Sequence, residues 1–290
     1  MKWKDRRKSK NVQDRRGRSG RGGLAGSMMG VGGIGGIILF LLFSVLGGNF
    51  RGIETQAPTE VNDPPTTEGH YTTAAEQELY DFVSVILADT EDVWQTIFEE
   101  NGSIYTEPTL VVYNRQVQSA CGVAGSSTGP FYCPADKQLY IDLSFYDDLR
   151  YNFNAPGDFA MAYVVAHEVG HHVQTELGIT KDFRKAQGTL TEADANALSV
   201  RFELQADYLA GVWAHHAEGM GYLEDGDYAE ALTAAAAIGD DRIQKQAQGY
   251  AVPDSFTHGT SQERMYWFER GFETGDLSRG DTFSWDGKFY

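Results

Sequence analysis

Residues 162–174 read AYVVAHEVGHHVQ and residues 201–211 read RFELQADYLAG. The first run carries His167, Glu168 and His171 as H-E-x-x-H, and the second carries Glu203 and Asp207 as E-x-x-x-D. Successive residues of an α-helix turn by about 100°, so His167 and His171 lie about one turn apart on one face, where two imidazoles can grip one metal ion. Glu168 flanks that face. H-E-x-x-H arises by chance in on the order of one chain in a hundred of this composition, so the motif alone is suggestive; the acidic helix after it makes the pair specific.

A catalytic zinc takes three protein ligands and leaves one position open for water, so the third ligand is the deciding question. The extended motif H-E-x-x-H-x-x-G-x-x-H is excluded, because Gln174 and Leu177 stand where it needs a Gly and a third His. Glu176, nine residues after His167, is turned to the opposite side of the helix and reads as solvated. Glu203 is the better candidate. It lies on a second helical stretch, from about residue 193 to 217, introduced by Thr191 and Asp194 in a capping-box-like arrangement. Asp207, one turn further, is spaced to accept the other ring N–H of a ligand histidine and so fix its tautomer.

Glu168 is the expected general base, taking a proton from water and passing it to the leaving amine. Without it the metal should still bind and turnover should collapse. The competing account is that both histidines are core residues hydrogen-bonded to neighbours and that the carboxylates face water; the composite pattern outweighs it. Gly170 inside the motif costs about 1 kcal/mol relative to Ala and implies close packing at that point. His172 points about 100° away from His171 and reads as structural. His215 and His216 close the second helix, where imidazoles suit its negative end. His258, in SFTHGTSQER, is a candidate donor to the oxyanion of a tetrahedral intermediate, with a loop or capping role as the alternative.

The chain of 290 residues has a net charge of −17, which conceals a segregation. Residues 1–21 carry ten Lys/Arg and two Asp, leaving 14 basic and 39 acidic side chains in residues 22–290. Residues 22–50 are uncharged, and residues 31–46 read VGGIGGIILFLLFSVL. With its flanks this gives a span at residues 24–48, near the roughly 20 residues needed to cross a bilayer core. The basic residues before it predict residues 1–23 as a cytoplasmic segment and the remainder outside the cytoplasmic membrane, in a single-pass arrangement. A cleaved signal peptide fits less well, since the apolar stretch is long and no A-x-A site follows. Gly32 and Gly36 would allow homodimerisation through the span.

Residues 49–70, acidic and rich in Pro and Thr, read as an extended linker containing His70, so the catalytic domain should comprise residues 71–290. A helix is expected over residues 73–100, with strands near residues 109–117 and 137–145, giving an α+β domain. Its acidity repels phosphate and argues against a nucleic-acid partner. Cys121 and Cys133 flank a Gly/Ser-rich turn; outside the cytoplasm they would form a disulfide contributing roughly 2–3 kcal/mol. No C-x-x-C pair suggests a second zinc site.

Taken in order, the opening MKWKDRRKSKNVQDRRG, the apolar span, SACGVAGSSTGPFYCPADKQLYIDLSFY, AHEVGHHVQ, RFELQADYLAG and DSFTHGTSQERMYWFERGFETGD resemble the bacterial YpfJ-like family of neutral zinc metallopeptidases, the zinicins. The resemblance spans nearly the whole chain. It implies a zincin-like domain in which His167, His171 and Glu203 ligate one Zn2+ and Glu168 acts as base, as in the E-x-x-x-D arrangement of gluzincins. It also implies that the strand at residues 138–142 is an edge strand beside the active-site helix, able to pair with an extended peptide or protein substrate. Gly280 departs from the family pattern near a position where some relatives are expected to carry cysteine, a change that should leave the metal site untouched but remove a cross-link. The expected function is zinc-dependent peptide-bond hydrolysis at the membrane. The rival is a non-catalytic zinc-binding scaffold of the cell envelope, against which Glu168 argues, because a structural zinc site closes its fourth position and needs no base.

Overall fold

The computed structural model of the protein describes residues 1–17 and 73–289. They form a mixed α+β fold, mostly helical, around a small sheet. Helix α1 (Ala74–Glu100) starts where the Thr73 side chain accepts the backbone N–H of Glu76, and it buries a face that includes Phe82, Ile86, Val93, Trp94 and Ile97. The four-stranded sheet has the order β1–β2–β6–β5: Val12–Asp14, Thr109–Tyr113, Gln138–Asp142 and Phe131–Cys133. β1, β2 and β6 run parallel and β5 is antiparallel. Leu110–Tyr113 and Leu139–Ile141 are all buried, as expected of strands covered on both faces.

Two details of the sheet correct the sequence-based expectations. The run expected as one strand over residues 109–117 breaks after Tyr113, where Arg115 takes a left-handed φ of 68°, and continues as a separate hairpin of β3 (Gln116–Ser119) and β4 (Gly122–Gly125). The segment expected as an edge strand, Gln138–Asp142, is β6, hydrogen-bonded on both sides by β2 and β5; the edge on that flank is β5. Cys121 and Cys133 are joined by a disulfide that ties the hairpin to the end of β5.

Six longer helices follow among the described residues: α2 (Asp158–Glu176), α3 (Ile179–Gln187), α4 (Glu192–Gly219), α5 (Asp227–Ala237), α6 (Asp240–Gln248) and α7 (Ser261–Thr274). α4 begins at Thr191, whose hydroxyl accepts from the Asp194 N–H, and α7 begins in a full capping box of Thr260 and Glu263. Close backbone approaches lock α4 between its neighbours. A Cβ at Gly170 would lie 2.9 Å from the Ala206 carbonyl oxygen, and a Cβ at Gly271 only 2.0 Å from that of Tyr208. The Gly170 contact accounts for a glycine in the middle of α2, and it is what lets the two motif-bearing helices face each other at short range.

The N-terminal segment is built into this domain. β1 adds to the sheet beside β2, and basic residues ahead of it pair with acids of α1: Arg6 with Asp89, Arg7 with Glu91 and Asp92, Lys8 with Asp81. The Met1 ammonium lies 2.8 Å from Asp158, 3.2 Å from Glu224 and 3.3 Å from Asp227. Residues 1–23 were expected as a cytoplasmic segment across the membrane from the domain. Ion pairs and the β1–β2 hydrogen bonds instead join residues 1–17 to the rest of the described fold. No described helix is long and apolar enough to cross a membrane. Residues 24–48, the linker at 49–70, His70 and the suggested dimer contact at Gly32 and Gly36 lie outside the described residues.

Burial disfavours the Met1 ammonium, but the hydrogen bond and charge of Asp158, with Asp227 and Glu224, outweigh it and raise its pKa above 8.0. A raised amine pKa stabilises the fold fully below the unfolded value and loses that contribution as pH rises through the folded value. Extending or acetylating the N-terminus is therefore expected to lower Tm near pH 7. The difference from native protein should shrink in alkaline buffer, as thermal melts on both forms at the two pH values would show.

Candidate metal centre

Helices α2 and α4 lie side by side and bring the two motifs into register. His167 Nε2 is 3.2 Å and His171 Nε2 3.3 Å from the same oxygen, Glu203 Oε2. One ligand atom from each of these residues lies within 4.8 Å of the others, and all three residues are buried. The opposite ring nitrogens are held by acceptors: His167 Nδ1 is 2.8 Å from Asp207 Oδ1, and His171 Nδ1 is 2.8 Å from Gln174 Oε1. Each Nδ1–H donates outward, which turns both Nε2 atoms toward Glu203.

The donor set fits zinc, since two imidazoles and one carboxylate converge on one place. A second observation points the same way, since His171 Nε2 and Glu168 Oε2 are buried yet make no hydrogen bond. Burial alone would lower the His167 pKa, but Asp207 and Glu203 raise it to about 9, so a metal ion would compete with a proton for that nitrogen. Burial would raise the Glu203 carboxyl; the charge of His171, that of His258 and the close approach of both motif histidines hold it well below its usual range.

Glu168 stands beside the cluster, and burial pushes its pKa up against the opposing charges of His171 and His167 and the backbone N–H of Tyr132 on β5. A carboxyl raised in this way is suited to taking and returning a proton. His258 is also brought to this place. It is buried, with Nδ1 3.0 Å from Thr257 Oγ1 and 3.5 Å from Asp240, and its pKa is raised because the charges of Glu203 and Asp240 outweigh burial. Asp240 shapes the loop around it by accepting the backbone N–H groups of Thr257, His258 and Gly259 at 2.7, 2.6 and 3.1 Å.

Asp207 is fully buried and accepts from Tyr163 Oη at 2.5 Å, His167 Nδ1 at 2.8 Å, and Arg264 through Nε at 2.8 Å and Nη2 at 2.9 Å. Burial opposes its charge, yet Arg264 and His167 bring its pKa down to about 2. Arg264 on α7 was not among the residues expected from sequence. It sits six positions after His258 in a polar stretch with no spacing that marks it, and only the packing of α7 on α4 delivers it. Gln174 was noted only as breaking the extended motif.

The other described histidines hold structure. His172 is buried, bonded to Tyr132 Oη at 3.0 Å and the Thr106 carbonyl at 2.6 Å, and burial lowers its pKa to about 4; it ties β5 to α2. His215 and His216 bond the carbonyls of Phe272 and Gly275. Glu176 pairs with Lys137 away from the cluster.

With this geometry in hand, comparison with known proteins is decisive. The family model described as "Putative neutral zinc metallopeptidase" matches residues 1–283. The chain belongs to this family. Among curated proteins it is 50% identical over 287 residues to "Uncharacterized protein YpfJ" of Escherichia coli strain K12, covering 98% of this chain and 99% of that protein. It is 40% identical over 256 residues to "Uncharacterized protein Rv2575" of Mycobacterium tuberculosis, covering 83% and 84%. No solved structure matches. The family description implies zinc, and His167, His171 and Glu203 are the residues that could hold it in this member of the family.

Proposed function

We propose that this chain hydrolyses peptide bonds at the His167, His171 and Glu203 centre, with Glu168 as general base. The observation carrying the proposal is the convergence of two Nε2 atoms and a carboxylate oxygen next to a buried carboxyl whose second oxygen lacks a partner. Zinc bound there supplies Lewis acidity toward water and the scissile carbonyl. The protein's residues do the rest. Glu168 takes a proton from water as the new C–O bond forms, and returns it to the amine nitrogen as the C–N bond breaks. His258 donates to the carbonyl oxygen as negative charge develops on it. Asp207 keeps His167 in one tautomer, and Arg264 keeps Asp207 ionised.

The outer edge of β5, from Phe131 to Cys133, pairs with no further strand among the described residues and supports an extended substrate backbone laid beside Glu168, toward which Tyr132 directs its N–H. The apolar residues 24–48 support attachment to the membrane. Docking of residues 1–17 on the domain supports one compartment for both, and the Cys121–Cys133 disulfide supports an oxidising one outside the cytoplasm.

The test is digestion of a peptide library by the full-length chain. Cleavage should disappear on chelation and return with added zinc. Cleavage that survives complete metal removal would sink the proposal.

A further inference from the structure

We propose that Gln174 is the positioning residue for His171, and that its amide is held in the working orientation by hydrogen bonds running through Gln205 to the carbonyl of Gly280. This inference rests on the metal-centre reading above. Gln174 is fully buried on α2, three residues after His171, with Oε1 2.8 Å from His171 Nδ1. Its Nε2 donates to the Phe202 carbonyl at 2.8 Å and to Gln205 Oε1 at 3.0 Å. Gln205 Nε2 donates to the Gly280 carbonyl at 2.9 Å.

The direction of this chain follows from its far end. A backbone carbonyl only accepts, so Gln205 must present its NH2 to Gly280 and its oxygen to Gln174. Gln174 must then present its NH2 to Gln205 and Phe202, and its oxygen to His171. The proton of His171 is thereby fixed on Nδ1 and the lone pair of Nε2 faces Glu203, which a cation requires. Reversing either amide would set oxygen against oxygen in a buried site, and reversing that of Gln174 would also put the His171 proton on the wrong nitrogen.

The two ligand histidines are thus oriented by different means. His167 is held by an anion balanced by Arg264, and His171 by a neutral dipole, which adds no charge to the centre. The outer anchor of this relay is the Gly280 carbonyl. A Cβ there would meet the Tyr208 ring at 2.5 Å, so the segment reaches Gln205 only as glycine.

Zinc affinity, measured on the full-length chain by competition with a chelating dye, separates positioning from mere packing. Gln174→Leu removes the acceptor and should weaken zinc about 10- to 100-fold. Gln174→Glu keeps an acceptor on Nδ1 but sets a carboxylate against the Phe202 and Gln205 oxygens, so it should hold zinc within about threefold of wild type while having the lowest Tm of the three. A role in packing alone predicts affinity that follows Tm, with Gln174→Glu worst. The proposal fails if Gln174→Leu binds zinc like wild type, or if Gln174→Glu loses as much affinity as Gln174→Leu. Should Gln174→Leu not fold, imidazole nitrogen NMR of the zinc-free wild type decides: a proton on His171 Nδ1 supports the relay and one on Nε2 overturns it. Wild-type protein that binds no zinc would instead overturn the metal centre itself, a separate result.

Discussion

Replacing Glu168 by Gln is expected to leave zinc bound with unchanged affinity and to lower peptide cleavage about a thousandfold, within the 10²–10⁴ range of a lost general base. The affinity should hold because His167, His171 and Glu203, with the groups that orient them, are untouched. The rate should fall because an amide in the same buried position cannot accept a proton from water or carry it to the leaving nitrogen. Glu168 has one unpartnered buried oxygen and a pKa raised by burial, so the environment already favours uptake of a proton. Parallel measurement of zinc content and turnover on the two proteins separates the possibilities. Equal cleavage by both would end the assigned mechanism, and zinc-loaded wild type that cuts nothing in a broad library would favour the non-catalytic scaffold.

The largest loss of stability is expected from Arg264→Met. Arg264 and Asp207 are both fully buried, and the guanidinium gives the carboxylate two of its hydrogen bonds. Removing one partner of such a pair leaves a buried charge uncompensated and typically costs about 3–5 kcal/mol, or roughly 10 °C in Tm for a chain of this size. Denaturant melts should show most of that cost recovered in Arg264→Met combined with Asp207→Asn, because the exposed liability is the carboxylate and not the missing cation. A loss below about 1 kcal/mol in the single variant would show the pair to be incidental. The acid limb of the stability curve gives a second readout. Asp207 titrates at about 2 in the fold against an ordinary 3.8, so its contribution is present above the ordinary value and is lost as pH falls through the folded one. Without Arg264 that loss should begin at a higher pH.

Much of the centre is readable because its parts are local. H-E-x-x-H and E-x-x-x-D each fit one helical turn, and Thr73 and Thr191 mark the starts of their helices through hydroxyls that reach a backbone N–H three residues on. Gly170 is recognisable as a contact point because a helix interior tolerates glycine only at a cost. The edge strand was misplaced for an equally local reason: β6 has the longer apolar run, whereas β5 has three residues inside a Gly/Ser-rich loop.

The basic N-terminus shows the opposite case. Ten positive charges before an uncharged stretch read as a signal for membrane orientation, and in the sequence the partners of Arg6, Arg7 and Lys8 are out of view. Those partners, Asp81, Asp89 and Glu91, stand more than seventy residues away on α1. Arg264 meets Asp207 across 57 positions, and Gln205 meets Gly280 across 75. Residue types and their helical spacing were enough to single out the two imidazoles and the carboxylate that the fold brings together, since a helix carries its own geometry. Which strand lies open beside that site, what balances its buried charge, and which atom of His171 holds the proton depend on contacts between distant segments. Such contacts exist only once the helices pack, and no local pattern encodes them.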